Sequence, residues 1–132
     1  MDDKFKVAII EDSPLLRDML TELLEEIDDL DVAVIAEEQE DAVNALESCN
    51  VDLAIIDLEL KTGNGLGVIK DLRDKPERYG HPKTVVFSNY TVSPMSRRCE
   101  ELGVDRIYDK SFQLPELLDY VREEMEKAGS GH

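Results

Sequence analysis

The chain has 132 residues, with 15 lysines and arginines against 31 aspartates and glutamates, which gives a formal net charge of −16. This length suits one compact domain, and a hydrophobic fraction of 42% is typical of a folded chain with a buried core. A surface this acidic repels phosphate backbones and anionic lipid headgroups. We therefore expect neither direct nucleic-acid binding nor membrane insertion.

The sequence also indicates where the protein resides. No apolar stretch approaches the roughly 20 residues that cross a bilayer. The first residues lack the basic start and long apolar core of a signal peptide. Cys49 and Cys99 are too few and too isolated for a disulfide scaffold or a zinc site. We expect a cytoplasmic protein with two reduced thiols.

Short apolar runs alternate with amphipathic segments along the chain. The first run, residues 7–10, is followed by Ser13 and Pro14, which predict an N-cap and a first helical residue. Apolar residues then recur at spacings of 3, 4 and 7 as far as Ile27, which predicts an amphipathic helix. Further strands are predicted over residues 32–36, 53–56, 84–87 and 106–109, and further helices over 40–48, 66–72, 93–102 and 114–125.

This alternation predicts an α/β fold. Continuous apolar strands between amphipathic helices are typical of a parallel sheet that is covered on both faces. Five such units favour a doubly wound five-stranded sheet in the flavodoxin-like order 2-1-3-4-5. We expect one domain over residues 1–127, and a flexible tail or an expression remnant over residues 128–132.

Polar residues stand where the predicted strands end. Glu11 and Asp12 follow the first strand, Asp57 follows the third, and Ser88 and Lys110 follow the fourth and fifth. In doubly wound sheets, ligands bind beyond the carboxyl ends of the strands, where the strand order reverses. Because the first and third strands are neighbours in this order, we expect the three carboxylates to share one small pocket.

Such a pocket predicts phosphoryl chemistry assisted by a metal ion. Three close carboxylates repel one another, and a hard divalent cation offsets their charge. Mg²⁺ fits best, with Mn²⁺ as a possible substitute. Asp57 can then act as a nucleophile and form an aspartyl phosphate. Lys110 would neutralise charge on the transferring group, and Ser88 would hold one of its oxygens.

Together these residues resemble the receiver domains of two-component response regulators. The resemblance covers about residues 5–126 and is carried by the order and spacing of its motifs. These are Val-Ala-Ile-Ile-Glu-Asp ending at Asp12, Leu-Ala-Ile-Ile-Asp ending at Asp57, Leu58, Leu60, Gly65, Val-Val-Phe-Ser ending at Ser88, and Asp109-Lys110.

The resemblance implies a phosphorelay role for the protein. Asp57 would take a phosphoryl group from the phosphohistidine of a sensor histidine kinase, or exchange it with a histidine phosphotransfer protein. Asp12, Asp57 and the backbone carbonyl of Glu59 would bind Mg²⁺, with Glu11 acting through water. Lys110 and a further residue, Ser88, would contact the phosphoryl group. The domain would catalyse its own phosphorylation and dephosphorylation.

Some positions depart from the pattern of the family. Many receivers carry a switching aromatic residue three positions before the lysine, where this chain has Ile107 followed by Tyr108. Adjacent residues of a strand face opposite sides, so Tyr108 should not replace that aromatic. Ser111 follows the lysine, where many receivers have proline. Asn89 and Glu59 stand where we expect them to tune the lifetime of the aspartyl phosphate.

The output of such a domain is expected to be protein binding. Receivers commonly bind their downstream targets through the face made by the fourth predicted helix, the fifth strand and the last helix. In this sequence the face would include Arg97, Arg98, Arg106, Tyr108, Gln113 and Tyr120.

Three other functions remain open from the sequence. The glycine-rich segment 63–67 resembles a phosphate loop, but it lacks the spacing of a dinucleotide motif and the Lys-Ser/Thr of a P-loop. Glu59 stands two residues after Asp57, where phosphohydrolases with an aspartate nucleophile carry their general acid, although no room for a substrate-selecting cap is evident. A degenerate receiver would bind proteins without being phosphorylated.

Overall fold

Parallel strands form one sheet in the computed structural model, which describes residues 4–89 and 94–130. Their order across the sheet is β2-β1-β3-β4-β5, so the predicted doubly wound α/β fold is confirmed. The strands of the described residues are β1 (Phe5–Ile10), β2 (Leu30–Ala36), β3 (Leu53–Ile56), β4 (Lys83–Ser88) and β5 (Arg106–Asp109).

Helices connect the strands, as the amphipathic segments predicted. The described ranges contain α1 (Pro14–Glu25), α2 (Gln39–Ser48), α3 (Gly65–Asp74), α4 (Pro76–Tyr79), α5 (Met95–Glu101) and α6 (Leu114–Ser130). None of these helices is both long enough and apolar enough to cross a bilayer.

The helix ends agree with the prediction at some places and differ at others. Ser13 caps α1 as expected, because its hydroxyl accepts a hydrogen bond from the N–H of Leu16 at 3.3 Å. Ser93, the predicted N-cap of the fourth helix, lies outside the described residues, and the structure begins that helix at Met95. The last helix continues to Ser130, through residues that the sequence predicted as a tail.

The four-residue helix α4 was not predicted, since it is too short to show a helical period. It begins at Pro76, whose fixed φ suits a first helical position. Its last residue, Tyr79, is buried, and the phenol donates a hydrogen bond to a carboxylate oxygen of Asp71 in α3 at 2.7 Å. This contact anchors the connection from α3 to β4.

Two apolar layers cover the sheet, one on each face. On β1, Ala8 and Ile10 pack into the layer of α2, α3 and α5, while Val7 and Ile9 pack into the layer of α1 and α6. All four of these side chains are fully buried. Burial of successive residues on opposite faces explains why the strand is continuously apolar rather than alternating.

The register of the sheet positions the strand ends. Ile10 of β1 pairs with Ile56 of β3, and the N–H of Asp57 donates to the carbonyl oxygen of Ile10 at 2.9 Å. Ser88 of β4 pairs with Asp109 of β5. The residues that follow these pairs therefore emerge at one edge of the sheet.

Gly65, the first residue of α3, provides a test of this arrangement. A Cβ at this position would overlap the backbone carbonyl oxygen of Asp57, so Gly65→Ala must displace either α3 or the end of β3. We expect it to lower the free energy of unfolding by about 1–3 kcal/mol, measured by urea denaturation.

The matched control is Gly129→Ala in α6, where an added Cβ meets nothing within 4 Å. Alanine favours a helix over glycine, so this variant should be unchanged or more stable by up to about 1 kcal/mol. Equal stability of Gly65→Ala and the wild type would contradict the close approach of α3 to Asp57.

Candidate functional site

Three carboxylates meet beyond the carboxyl ends of β1 and β3. Glu11, Asp12 and Asp57 each offer one oxygen, and these oxygens all lie within 4.8 Å of one another. Glu11 and Asp57 are buried, with 2% and 3% of their surface exposed, whereas Asp12 is half-buried. The pocket predicted from the strand order is therefore present in the fold.

Lys110 supplies the positive charge of this pocket. Its Nζ lies 2.9 Å from Oε1 of Glu11 and 2.9 Å from Oδ2 of Asp57. The N–H of Lys110 donates to the backbone carbonyl of Ser88 at 3.1 Å, and Ser88 itself is fully buried at the end of β4. The structure thus brings together the predicted residues from the ends of four strands.

Burial dominates the protonation of Glu11. Removal of water from its carboxylate raises the pKa of Glu11 from 4.5 to about 7, although hydrogen bonds from Lys110 and from the N–H of Ser13 oppose the rise. Burial also disfavours the charged form of Lys110, but the hydrogen bonds to Asp57 and Glu11 outweigh it and raise the pKa of Lys110. The pocket therefore favours the charged form of Lys110 and brings the pKa of the Glu11 carboxyl close to neutral pH.

Glu59 and Asn89 lie at the exposed margin of the site. The N–H of Glu59 donates to Oδ1 of Asp57 at 3.3 Å, which orients the aspartate, while the side chain of Glu59 is exposed. Glu59 also forms an isolated antiparallel bridge with Asn64, which closes the loop between β3 and α3. Asn89 follows Ser88 and is exposed.

A charged network that the sequence analysis missed joins the loops around the pocket. Arg17 of α1 donates to the backbone carbonyl of Glu11 at 3.4 Å and pairs with Glu37 at 2.9 Å. Lys61 pairs with the other carboxylate oxygen of Glu37 at 3.6 Å. The three residues lie far apart in the sequence and share no periodic pattern, so only the fold reveals them.

Gln39 explains the glycine-rich segment that resembled a phosphate loop. Added Cβ atoms at Gly63 and Gly67 would both collide with the Gln39 side chain, and Oε1 of Gln39 accepts a hydrogen bond from the N–H of Asn64 at 3.0 Å. Gly63 also has φ of +82°, in the left-handed region. The glycines thus make room for the side chain of Gln39.

Ile107 and Tyr108 face opposite sides of the sheet, as strand alternation predicted. Ile107 packs against the layer of α2, α3 and α5, and Tyr108 against the layer of α1 and α6. Tyr120 was predicted on the face that binds a downstream target, but it is buried, with only 5% of its surface exposed. Its ring lies 6.4 Å from that of Tyr108, and the Arg106 guanidinium covers it at 5.0 Å.

The fold and this acidic pocket define the class of protein: a doubly wound domain whose functional groups stand where the strand order reverses. The chain belongs to the response regulator receiver domain family, a model of which matches residues 7–122.

Solved structures share this fold. A CheY-like response regulator receiver domain protein from Methanospirillum hungatei JF-1 superposes with a TM-score of 0.83 at 18% identity, over 98% of this chain and 100% of that chain. The receiver domain of a sensor histidine kinase from Pseudomonas aeruginosa PAO1, solved with a magnesium ion in its active-site cleft, has a TM-score of 0.79 at 16% identity, over 93% of this chain and 98% of that chain.

Curated relatives are longer than this chain. A protein-glutamate methylesterase/protein-glutamine glutaminase from Desulfotalea psychrophila is 29% identical over 100 residues, which is 74% of this chain and 27% of that protein. The matches to the first five curated relatives cover between 24% and 35% of the length of those proteins.

Replacement of Glu11 tests the electrostatics of the metal-free pocket. Because folding raises its pKa from 4.5 to about 7, Glu11 favours the folded state below pH 4.5, and this contribution is lost as the pH rises through 7. Glu11→Gln removes this loss. At pH 8 in a chelator we expect its free energy of unfolding to exceed that of the wild type by on the order of 1–3 kcal/mol.

Urea denaturation of both proteins at pH 4 and pH 8 measures this difference. The gain should be absent at pH 4, where Glu11 is protonated in both the folded and the unfolded chain. Glu25→Gln, which changes an exposed carboxylate of α1, is the control and should show no such dependence. A Glu11→Gln variant that is less stable than the wild type at pH 8 would contradict the assignment.

Proposed function

We propose that this receiver domain accepts a phosphoryl group on Asp57 from a phosphohistidine, with Mg²⁺ bound, and thereby switches its interactions with other proteins. One observation carries the proposal. The carboxylates of Glu11, Asp12 and Asp57 converge within 4.8 Å, and the Lys110 ammonium lies 2.9 Å from two of them. A nucleophile, a set of hard oxygen ligands and a cation for phosphate oxygens thus occupy one pocket.

The donor set fits a divalent cation. One lysine faces three carboxylates, two of which are buried, so negative charge remains uncompensated. Asp12, Asp57 and the backbone carbonyl of Glu59 would hold Mg²⁺, with Glu11 acting through water, and Mn²⁺ would substitute. The bound ion would offset the charge of these carboxylates and of the transferring phosphoryl group.

The residues of the chain account for the transfer step. A carboxylate oxygen of Asp57 attacks phosphorus, and a P–O bond forms as the P–N bond to the donor imidazole breaks. The electron pair of the broken bond stays on the imidazole nitrogen. The Lys110 ammonium shifts a hydrogen bond from Asp57 to the new phosphoryl oxygens, and the Ser88 hydroxyl contacts another of them. Attack by water on phosphorus later releases phosphate and restores Asp57.

The lifetime of the phosphorylated form and its output depend on residues around the pocket. Asn89 and the Glu59 side chain, both exposed beside the site, would control the approach of water. Ile107 replaces the usual switching aromatic, so the signal would pass through the loops after β3 and β4. Arg97 and Arg98 of α5, with Arg106, expose positive charge on a domain of net charge −16. This face suits a downstream protein with an acidic surface.

Two exposed apolar side chains stand near the pocket in sequence. Leu15 in the first turn of α1 is 83% exposed and follows the acidic pair by three positions, and Phe112 is 73% exposed and follows Lys110 by two. Large apolar residues at such exposure favour contact with a partner. We propose that they contact the histidine kinase or the histidine phosphotransfer protein that donates the phosphoryl group.

Labelling with a small phosphodonor tests the central proposal. Incubation with radiolabelled phosphoramidate and Mg²⁺ should give acid-stable, base-labile label close to one per chain. Asp57→Asn should abolish it, because the amide is a far weaker nucleophile. Asp31→Asn, an exposed aspartate of β2, is the control and should label like the wild type.

The outcomes separate the alternatives. Absence of label in a folded wild type would favour a protein-binding module that is never phosphorylated. Label that survives Asp57→Asn would place the acceptor elsewhere. Rapid turnover of phosphate monoesters would favour the phosphohydrolase.

Two phosphodonors, one a small molecule and one a protein, test the proposed contact of Leu15 and Phe112 with the donor protein. Leu15→Ala and Phe112→Ala should leave labelling by phosphoramidate unchanged, and they should slow transfer from a phosphohistidine protein that labels the wild type, by about tenfold each. Ile35→Ala, at an apolar residue of the edge strand β2 that is 49% exposed, is the control and should slow neither. Equal slowing with both donors would contradict a docking role.

A further inference from the structure

The backbone on both sides of Lys110 is held by a run of hydrogen bonds. The N–H of Lys110 donates to the carbonyl oxygen of Ser88 at 3.1 Å, which ties it to β4. The N–H of Asp109 donates to Oε1 of Gln113 at 2.8 Å, and the N–H of Ser111 donates to Oδ1 of Asp109 at 2.7 Å. Three consecutive N–H groups therefore have defined acceptors, which fixes the direction in which the lysine side chain leaves the chain.

Gln113 occupies the open edge of the sheet. Successive N–H groups of a strand point to opposite sides. Because the N–H of Lys110 points towards β4, that of Asp109 points away from it. β5 is the last strand in the order of the sheet. The Gln113 side chain accepts the hydrogen bond of the Asp109 N–H on the side where a further strand would otherwise pair. The N–H of Gln113 donates in return to the Asp109 carbonyl at 2.9 Å. This reciprocal pair joins the end of β5 to the residue that directly precedes α6.

The position of this pair matters because a small displacement of the Lys110 backbone would move its ammonium out of contact with the carboxylates. Its Nζ must stand 2.9 Å from oxygens of both Glu11 and Asp57, at the end of a flexible four-carbon chain. A proline after the lysine would restrict the backbone, but this chain has Ser111 there. The hydrogen bonds of Gln113 and Asp109 supply the restriction instead.

We propose that Gln113 is a positioning residue for Lys110. Its side chain holds the end of β5, so that the lysine ammonium reaches Asp57 and the oxygens of the incoming phosphoryl group. The inference rests on the proposed function, because it assigns a role in the phosphorylation of Asp57.

The test compares Gln113→Ala, Gln113→Glu and the wild type in two measurements. The first is the rate of labelling by phosphoramidate at saturating Mg²⁺. The second is the affinity for Mg²⁺, measured from the rise of the thermal midpoint with metal concentration. Ser111→Ala is the control, since it retains the backbone N–H in the same loop.

Gln113→Ala should label about three- to tenfold more slowly than the wild type. Gln113→Glu keeps an acceptor oxygen and should label within about twofold of the wild type. Mg²⁺ should bind Gln113→Ala as tightly as the wild type or more tightly, because a displaced ammonium no longer competes for the carboxylates. Ser111→Ala should match the wild type in both measurements.

Other outcomes would overturn the inference. Labelling of Gln113→Ala at the wild-type rate would show that Lys110 does not depend on it. Slower labelling together with weaker Mg²⁺ binding would indicate that the whole pocket has loosened, and equal slowing in Gln113→Glu would exclude the acceptor oxygen as the cause. Absence of label in the wild type would overturn the proposed function and this inference with it.

Discussion

The ion pairs of Lys110 are the interaction on which the rest of the site depends. One ammonium lies 2.9 Å from two buried carboxylates, and a third carboxylate stands within 4.8 Å of both. Water cannot screen these charges well, so any change of charge in the pocket alters the balance strongly. A metal ion and a phosphoryl group are such changes. Under the proposed function, a phosphoryl group on Asp57 would change this charge, and Lys110 would then redistribute its hydrogen bonds.

The parallel sheet makes this concentration of charge possible. β1 and β3 are paired in register, so Glu11 and Asp57 emerge side by side, and the backbone bond from Lys110 to Ser88 brings the end of β5 to the same edge. The last four residues of β1 and all of β3 are apolar and buried on both faces, which holds these strand ends rigid behind the charges. Functional groups at the ends of rigid strands keep their geometry better than groups on free loops.

The loops around the pocket are tied to one another rather than to the sheet alone. Glu37 links Arg17 of α1 to Lys61 of the loop after β3, and Gln39 packs against Gly63 of that loop and Gly67 of α3. Ion pairs this close to solvent contribute little stability each. These contacts fix the position of the loops relative to each other, because they connect the segment that carries Glu11 to the segment that follows Asp57.

The sequence by itself indicated the strands, the five longer helices, the order of the sheet and the acidic character of the pocket. Short continuous apolar runs predicted the strands. Polar residues at the strand ends predicted one site, made of Glu11, Asp12, Asp57, Ser88 and Lys110. Tertiary structure alone decided which side chains hold these residues in place, because Arg17, Glu37, Lys61, Gln39 and Gln113 meet their partners through loop paths that leave no periodic signal. Tertiary structure also decided the burial of Tyr120, which was predicted on a target-binding face. Its contacts with Arg106 and Tyr108 depend on the packing of α6 against β5 rather than on local sequence.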